Sequence, residues 1–494
     1  MNVMALPWLQ MTILLPLLGA LRAGWQRDSD IARRHTLVAC SLALIAAVGG
    51  WINFALVDGP VAVDRWDLGE VVSGGALFSI DALSAPLVPV GAMFYLLVAL
   101  ATPRTKLRLM SFGWLLISEA ILLATISSQQ PAMIVVLLAV GTIPPWVGLF
   151  SQGCSTRVLS IHMLLFVALL VAGQALVGWS ESANLRLVGV LLLTMAVLLR
   201  AGIVPLHGWM ADLCEFGSFS NSLVFLVPMA SAYAAMRLVL PVAPDWVLRG
   251  ITIISLITAL YAACLALVQR DARRFYCYLF LSNSSLVFVG LETATPVALT
   301  GALCLWISVI LALGGYGLTL RAIEHRVGRL ELDRFYGLYQ QTPGLAALFL
   351  LTGLASIGFP GTIGFIGVEL LVDGAVQVHS LFGILIVLAA TLNGLAILHA
   401  YFRVFTGARR GGTIDLQVRL PERVAVLVLT VLILGGGLFP QPGVQSRYAA
   451  AAELVKQRAR LASGAGTAAR PESAPSLAAR RGKPVAPHSP KSSR

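Results

Sequence analysis

Long apolar runs recur along almost the whole of this 494-residue chain, and they leave few folds open. A bilayer core about 30 Å thick takes roughly 20 apolar residues per helix. A stretch such as PAMIVVLLAVGTIPPWVGLF, Pro131 to Phe150, meets that length. About fourteen segments do so, starting near Met4, Thr36, Ala76, Ser111, Pro131, Thr156, Arg186, Ser220, Val247, Phe275, Pro296, Gly344, Leu381 and Arg423. Lipid offers the backbone no hydrogen bonds, so each span has to satisfy its own as a helix. With 58% hydrophobic and 12% charged residues, the chain is expected to be an all-α, multi-pass integral membrane protein of a bacterial-type inner membrane, its first partner the lipid bilayer.

The net charge of +12 comes mostly from the end of the chain. Residues 441–494 hold ten Lys or Arg against Glu453 and Glu472. The body is close to balanced, so the charge gives no reason to expect nucleic-acid binding. This division sets a transmembrane domain over 1–440 and a basic, mostly disordered tail over 441–494, with at most a short helix around Tyr448 to Leu461. The six cysteines show no CxxC spacing and read as small buried side chains, with no metal site. No cofactor, redox or nucleotide motif is present, so any enzymatic title would belong to an assembly. Basic residues cluster in loops after odd-numbered spans, including Arg104, Lys106 and Arg108, and Arg270, Arg273 and Arg274, which places those loops in the cytoplasm. Arg237 and Arg403 are expected to reach toward opposite membrane surfaces.

Two spans are interrupted in the middle. In AVLLRAGIVPLHGWMADL, the seventh, Pro205 follows Gly202; in LASIGFPGTIGFIGVELLVDG, the twelfth, Gly358, Pro360 and Gly361 fall together. Proline removes a donor and clashes with the preceding turn, and carbonyls freed at membrane depth need polar side chains, water or ions. Breaks at corresponding places in two halves point to a transporter built on an inverted repeat. The halves would be five-helix repeats over about 111–240 and 247–406.

Four pieces of the chain resemble one family. They are SIDALSAPL (Ser79 to Leu87), RAGIVPLHGWMADL, RDARRFYCYLFLSNSSLVFVG (Arg270 to Gly290) and GFPGTIGFIGVELL. Over roughly Leu77 to Gly407 the sequence is similar to the antiporter-like, proton-conducting membrane subunits of respiratory complex I. That family also takes in large subunits of Mrp antiporters, membrane subunits of energy-conserving hydrogenases and membrane partners of a proton-driven inorganic-carbon uptake system. The resemblance implies a row of lysines, histidines and acids along the bilayer midplane, with a fifth-helix acid paired to a lysine on the broken seventh helix.

This chain departs from that row. Arg200 stands in place of the lysine, and arginine hardly ever gives up its proton. The fifth span has Val140 and Gly141 where the acid belongs, Met229 takes the lysine position of the eighth, and Ser308 and Val309 take that of the eleventh. The candidate ion path is therefore Asp81, Glu119, Arg200, His207, Glu369 and His399, with the helix breaks at Pro205, Gly358, Pro360 and Gly361. Asp81 also suits a helix cap. Glu119, in mid-span, is the expected counter-ion of Arg200. Three functions are open. The first is a proton-translocating subunit of a larger membrane complex, such as an NADH:quinone oxidoreductase-like translocase. The second is the membrane half of an inorganic-carbon uptake system with a soluble zinc partner. The third is a scaffold subunit that no longer conducts.

Overall fold

The computed structural model describes residues 6–57, 59, 61–64, 76–102, 111–291, 295–407 and 420–468, with side chains as far as 461. The loop charges Arg104, Lys106 and Arg108 lie outside these residues. The chain runs α1 (Trp8–Gly24), α2 (Ser29–Leu56), β1 (Val61–Val63), β2 (Ser79–Asp81), α3 (Leu87–Leu100), α4 (Phe112–Ile126), α5 (Pro131–Val140), α6 (Ile143–Ser151), α7 (Arg157–Trp179) and α8 (Ala183–Ala201). It continues as α9 (Gly208–Phe216), α10 (Phe219–Leu226), α11 (Ala230–Ala234) with a π turn at Ala235–Val239, α12 (Asp245–Val268), α13 (Ala272–Val289) and α14 (Pro296–Val327). The last helices are α15 (Pro343–Ser356), α16 (Ile363–Val378), α17 (Ser380–Phe405), α18 (Leu420–Leu438) and α19 (Gln441–Ala468). The only strands among the described residues form a short antiparallel ribbon, with Val61 opposite Asp81. Nine helical segments among the described residues are long and apolar enough to cross a membrane, and four shorter apolar helices accompany them.

The helix α14 lies at the centre. Its 32 residues are apolar on nearly every side and almost all buried, which is the pattern of a helix surrounded by others. It packs against α3, α13, α15, α16, α18 and α19. Contact with α16 is close because glycines stand on it. A side chain at Gly301 would overlap the backbone nitrogen of Leu371, and one at Gly367 would come 2.8 Å from the nitrogen of Leu305. In lipid, where helix association rests on packing, such small residues let backbones approach.

The tail expected from 441 onward is helical through 468 and docks on the body, while residues beyond 468 lie outside those described. Its basic composition hides a stripe: Arg447, Ala450, Ala451 and Leu454 recur at helical spacing and are all buried. Arg447 donates from Nη1 to Leu83 O (3.0 Å) and from Nη2 to Ala82 O (2.6 Å). One helical surface further on, Arg458 pairs with Asp245 at 2.5 Å.

The turn that Arg447 holds is also where Asp81 sits. Asp81 Oδ1 accepts from the backbone of Leu83 (3.2 Å) and Ser84 (3.1 Å), so it closes the turn before α3 and does not cap the helix itself, whose N-cap is Pro86. It also accepts from Arg237 Nη2 at 2.7 Å, with both side chains buried. Arg237 therefore turns inward to a carboxylate and does not reach for the membrane surface. The sequence separation of Asp81 and Arg237 hides this pairing. Burial alone would raise the pKa of Asp81, but the Arg237 guanidinium and the Ser84 donors outweigh it and hold the carboxyl below its usual range.

A carboxyl with a depressed folded pKa contributes stability above its unfolded pKa of about 3.9 and loses it as pH falls through the folded value. Wild-type protein in detergent should thus hold its melting temperature from neutral pH down to about 4 as far as this pair is concerned, then lose the contribution below that. Asp81→Asn, which leaves Arg237 buried without its carboxylate, should cost about 3 kcal/mol at neutral pH and flatten the acid limb. Gly301→Val, wedged against immovable backbone, should cost about 1–3 kcal/mol in the same melts; an unchanged melting temperature would contradict the close α14–α16 contact.

Candidate functional site

The seventh span breaks as its sequence suggests. Helix α8 ends at Gly202, whose φ of 72° favours glycine. A cis Val204–Pro205 bond follows, and α9 starts at Gly208. The released groups find partners. Leu199 O accepts from the indole of Trp209 (3.0 Å), and the Val204 N–H donates to Thr258 Oγ1 (3.2 Å). The tryptophan of the PLHGWM run thus closes the helix that the proline interrupts. His207 lies in the break, half-buried, with Tyr261 and Tyr278 at 5.5 and 6.1 Å between ring centroids.

A third break went unnoticed in the sequence. Helix α10 stops at Leu226, Met229 adopts a left-handed conformation (φ 51°), and α11 resumes at Ala230. The signal was Pro228, in mid-span. Pro228 has no N–H for Val224 O, and the Met229 N–H turns to Leu226 O (3.0 Å) instead of Phe225 O. Of the carbonyls left around the break, three are taken by side chains. Tyr95 OH donates to Val224 O (3.3 Å), Arg200 Nη2 to Phe225 O (3.3 Å), and Trp306 Nε1 to Pro228 O (3.2 Å). Arg200, 6% exposed, also lies over the Phe225 ring at 3.7 Å and near Trp209 at 5.6 Å. The cation buried in one broken helix therefore seals the break in the next.

The expected Arg200–Glu119 ion pair is not formed. Glu119 on α4 is fully buried, and its Oε2 accepts from the Cys40 thiol of α2 at 3.0 Å. Its Oε1 has no partner among the described residues. Cys40 is thus a donor, not merely a small apolar side chain. Adjacent helical positions point about 100° apart, so Glu119 faces α2 while Ser118 faces α3. There Ser118 meets Tyr95 OH at 2.7 Å. One tyrosine hydroxyl therefore joins the neighbour of Glu119 to the carbonyl beside the one that Arg200 holds. Gly141, at the position of the expected fifth-helix acid, lines a cavity with Tyr95, Ser118 and Arg200.

The twelfth span is also broken, between α15 and α16, with Gly358 at φ 81° and Gly361 at φ 85° flanking the exposed Pro360. Phe359 N–H reaches back to Leu354 O (3.1 Å), and Gly364 lets Ala355 O and Ser308 Oγ approach the second half. Glu369, Asp373 and His399 do not join the interior; all three are exposed on α16 and α17. Helical phase decides this, since Gly364, Gly367 and Leu371 turn the other face of α16 inward. The interior polar residues in this half include Ser282, Ser308, Tyr316 and Asn393, and the last three each keep a buried atom without a partner among the described residues.

The model for the NADH:quinone oxidoreductase/Mrp antiporter transmembrane family matches residues 149–393. NAD(P)H-quinone oxidoreductase chain 4 1 of Synechococcus sp. (strain JA-3-3Ab) is 26% identical over 487 residues, covering 90% of this chain and 92% of its own length. A chain in the structure of respiratory complex I from Thermus thermophilus with bound NADH superposes with a TM-score of 0.80 at 21% identity, over 91% of this chain and 99% of that one. One in the Mrp complex from Dietzia sp. DQ12-45-1b gives 0.79 at 18% identity, over 94% and 99%. The span-by-span breaks, the PLHGWM closure and these likenesses converge: the chain is a multi-pass integral membrane protein that belongs to the antiporter-like membrane subunit family of NADH:quinone oxidoreductases and Mrp antiporters.

Proposed function

We propose that this chain passes protons as one subunit of a larger membrane complex, with Glu119 taking up and releasing the proton and Arg200 acting as a fixed charge. The observation that carries the reading is the Glu119 carboxyl. It is fully buried among apolar helices, one oxygen holds the Cys40 thiol, and the other has no partner among the described residues. An ionisable group kept in such a place is costly, and function is its usual reason. Arg200 keeps its proton, so its part is to set the local potential. Toward the second half, the unpaired atoms of Ser308, Tyr316 and Asn393 offer partners to water, which a proton needs where no titratable side chain stands.

The exposed Glu369 and Asp373 support the assembly. They stand one turn apart on an apolar helix, Glu369 roughly 14 Å from its end at Val378. Lipid solvates such charges poorly. A neighbouring membrane subunit that offers cations or donors is the natural cover. The scaffold reading keeps one specific support, the apolar Met229 at the expected lysine position of the eighth span.

Proton flux into proteoliposomes of the intact complex separates the two. Glu119→Gln keeps an oxygen for the Cys40 thiol, so its melting temperature should match wild type while flux falls by about tenfold or more. Wild-type flux in that variant would remove Glu119 from the path, and a wild-type complex whose flux is unchanged when this chain is left out would favour the scaffold. Glu369→Ala combined with Asp373→Ala should lower the co-purification of neighbouring membrane subunits and leave the melt of the isolated chain unchanged; undiminished co-purification would contradict the docking role.

A further inference from the structure

Arg200 carries a full charge inside the membrane without an acid to balance it. Among the described residues its only hydrogen bond goes to the neutral Phe225 O, and its other contacts are aromatic faces. The buried carboxyl of Glu119 is engaged with Cys40 and makes no bond to Arg200. Burying an unpaired ion is expensive. A lysine could shed its proton and escape the cost, but an arginine cannot.

The guanidinium opens on two small cavities. One, of about 30 Å³, has Tyr95, Ser118, Leu137 and Gly141 in its wall. The other, of about 10 Å³, has Met229, Ser231 and Ser284. The larger has room for a particle the size of a water molecule, which needs about 10–15 Å³ of such space. Its free donors are those of the guanidinium; the hydroxyls of Tyr95, Ser118 and Thr125 also line it, engaged with one another or with carbonyls, and the rest of its wall is apolar. From this geometry we infer that the cavity between Arg200 and Gly141 binds a chloride ion, which takes the place of the carboxylate that Gly141 does not supply. Chloride has the charge that Arg200 lacks opposite it, is little larger than water, and tolerates an apolar wall. The inference stands apart from proton conduction, because it concerns the electrical balance of Arg200 whether or not Glu119 titrates.

The test is the thermal stability of the full chain in detergent at constant ionic strength, with gluconate replacing chloride. A site of this kind raises the folded-to-unfolded ratio about tenfold for each tenfold rise in chloride above its Kd. Arg200→Met should abolish that dependence. Gly141→Glu should abolish it too, by tethering a carboxylate in the same cavity; the new Cβ meets nothing nearer than Leu137 O at 3.1 Å, which a slight shift relieves. Should either variant fail to fold, bromide diffused into wild-type crystals reports directly, and its anomalous peak should touch Arg200. The inference is overturned by a melt indifferent to the anion, by a bromide peak only elsewhere, by a chloride response that survives in Gly141→Glu, or by a stronger response to bicarbonate than to chloride.

Discussion

Three helices stop partway through the apolar body of this protein, and the carbonyls they release govern much of what surrounds them. At membrane depth no solvent takes up a freed carbonyl. Four of them are matched by donors from other elements: Trp209 at Leu199, Tyr95 at Val224, Arg200 at Phe225 and Trp306 at Pro228. The donors come from four separate stretches of chain, so the breaks act as staples between spans. The central α14 contributes to them through Trp306.

Arg200 belongs to both accounts. As a donor it closes the break at Pro228, and as a charge it sits where the resemblance implies a lysine. A lysine has three donors on a flexible stem and a pKa that burial moves easily; a guanidinium has a fixed fork, a flat face and a lasting charge. The flat face is used, since it stacks on Phe225 at 3.7 Å. In the proposed function, proton binding falls to Glu119, a buried carboxyl bonded to Cys40 and not to Arg200. Separating fixed charge from titrating group lets the field of one bias the other without locking the two into an ion pair.

Much of this was legible in the residues. Apolar runs of bilayer length announced the helices, and the Gly–Pro pairs at Gly202/Pro205 and Gly358/Pro360 announced two breaks. The break at Pro228 carried the same mark, a proline within an apolar span, but without a glycine before it Met229 had to adopt the left-handed turn, which residue type does not foretell. The partners of Glu119 and Arg237 were hidden because they depend on which faces of distant helices meet. Cys40 and Asp81 lie far from them in sequence, and an exposed stretch of lipid-facing helix looks the same in composition as a buried one. For the same reason Glu369 and His399 read as interior groups until helical phase put them outside. The helix at the start of the tail was masked by its charge, although Arg447, Ala450, Ala451 and Leu454 mark one buried stripe.

The account rests on Arg200 and Glu119 being separate, each held by its own partners. A double-mutant cycle on thermal stability, with Glu119→Gln, Arg200→Met and both together, tests that claim directly. Two buried groups that do not pair should give a coupling energy under about 1 kcal/mol. A coupling of about 3 kcal/mol or more, the mark of a buried ion pair, would contradict it.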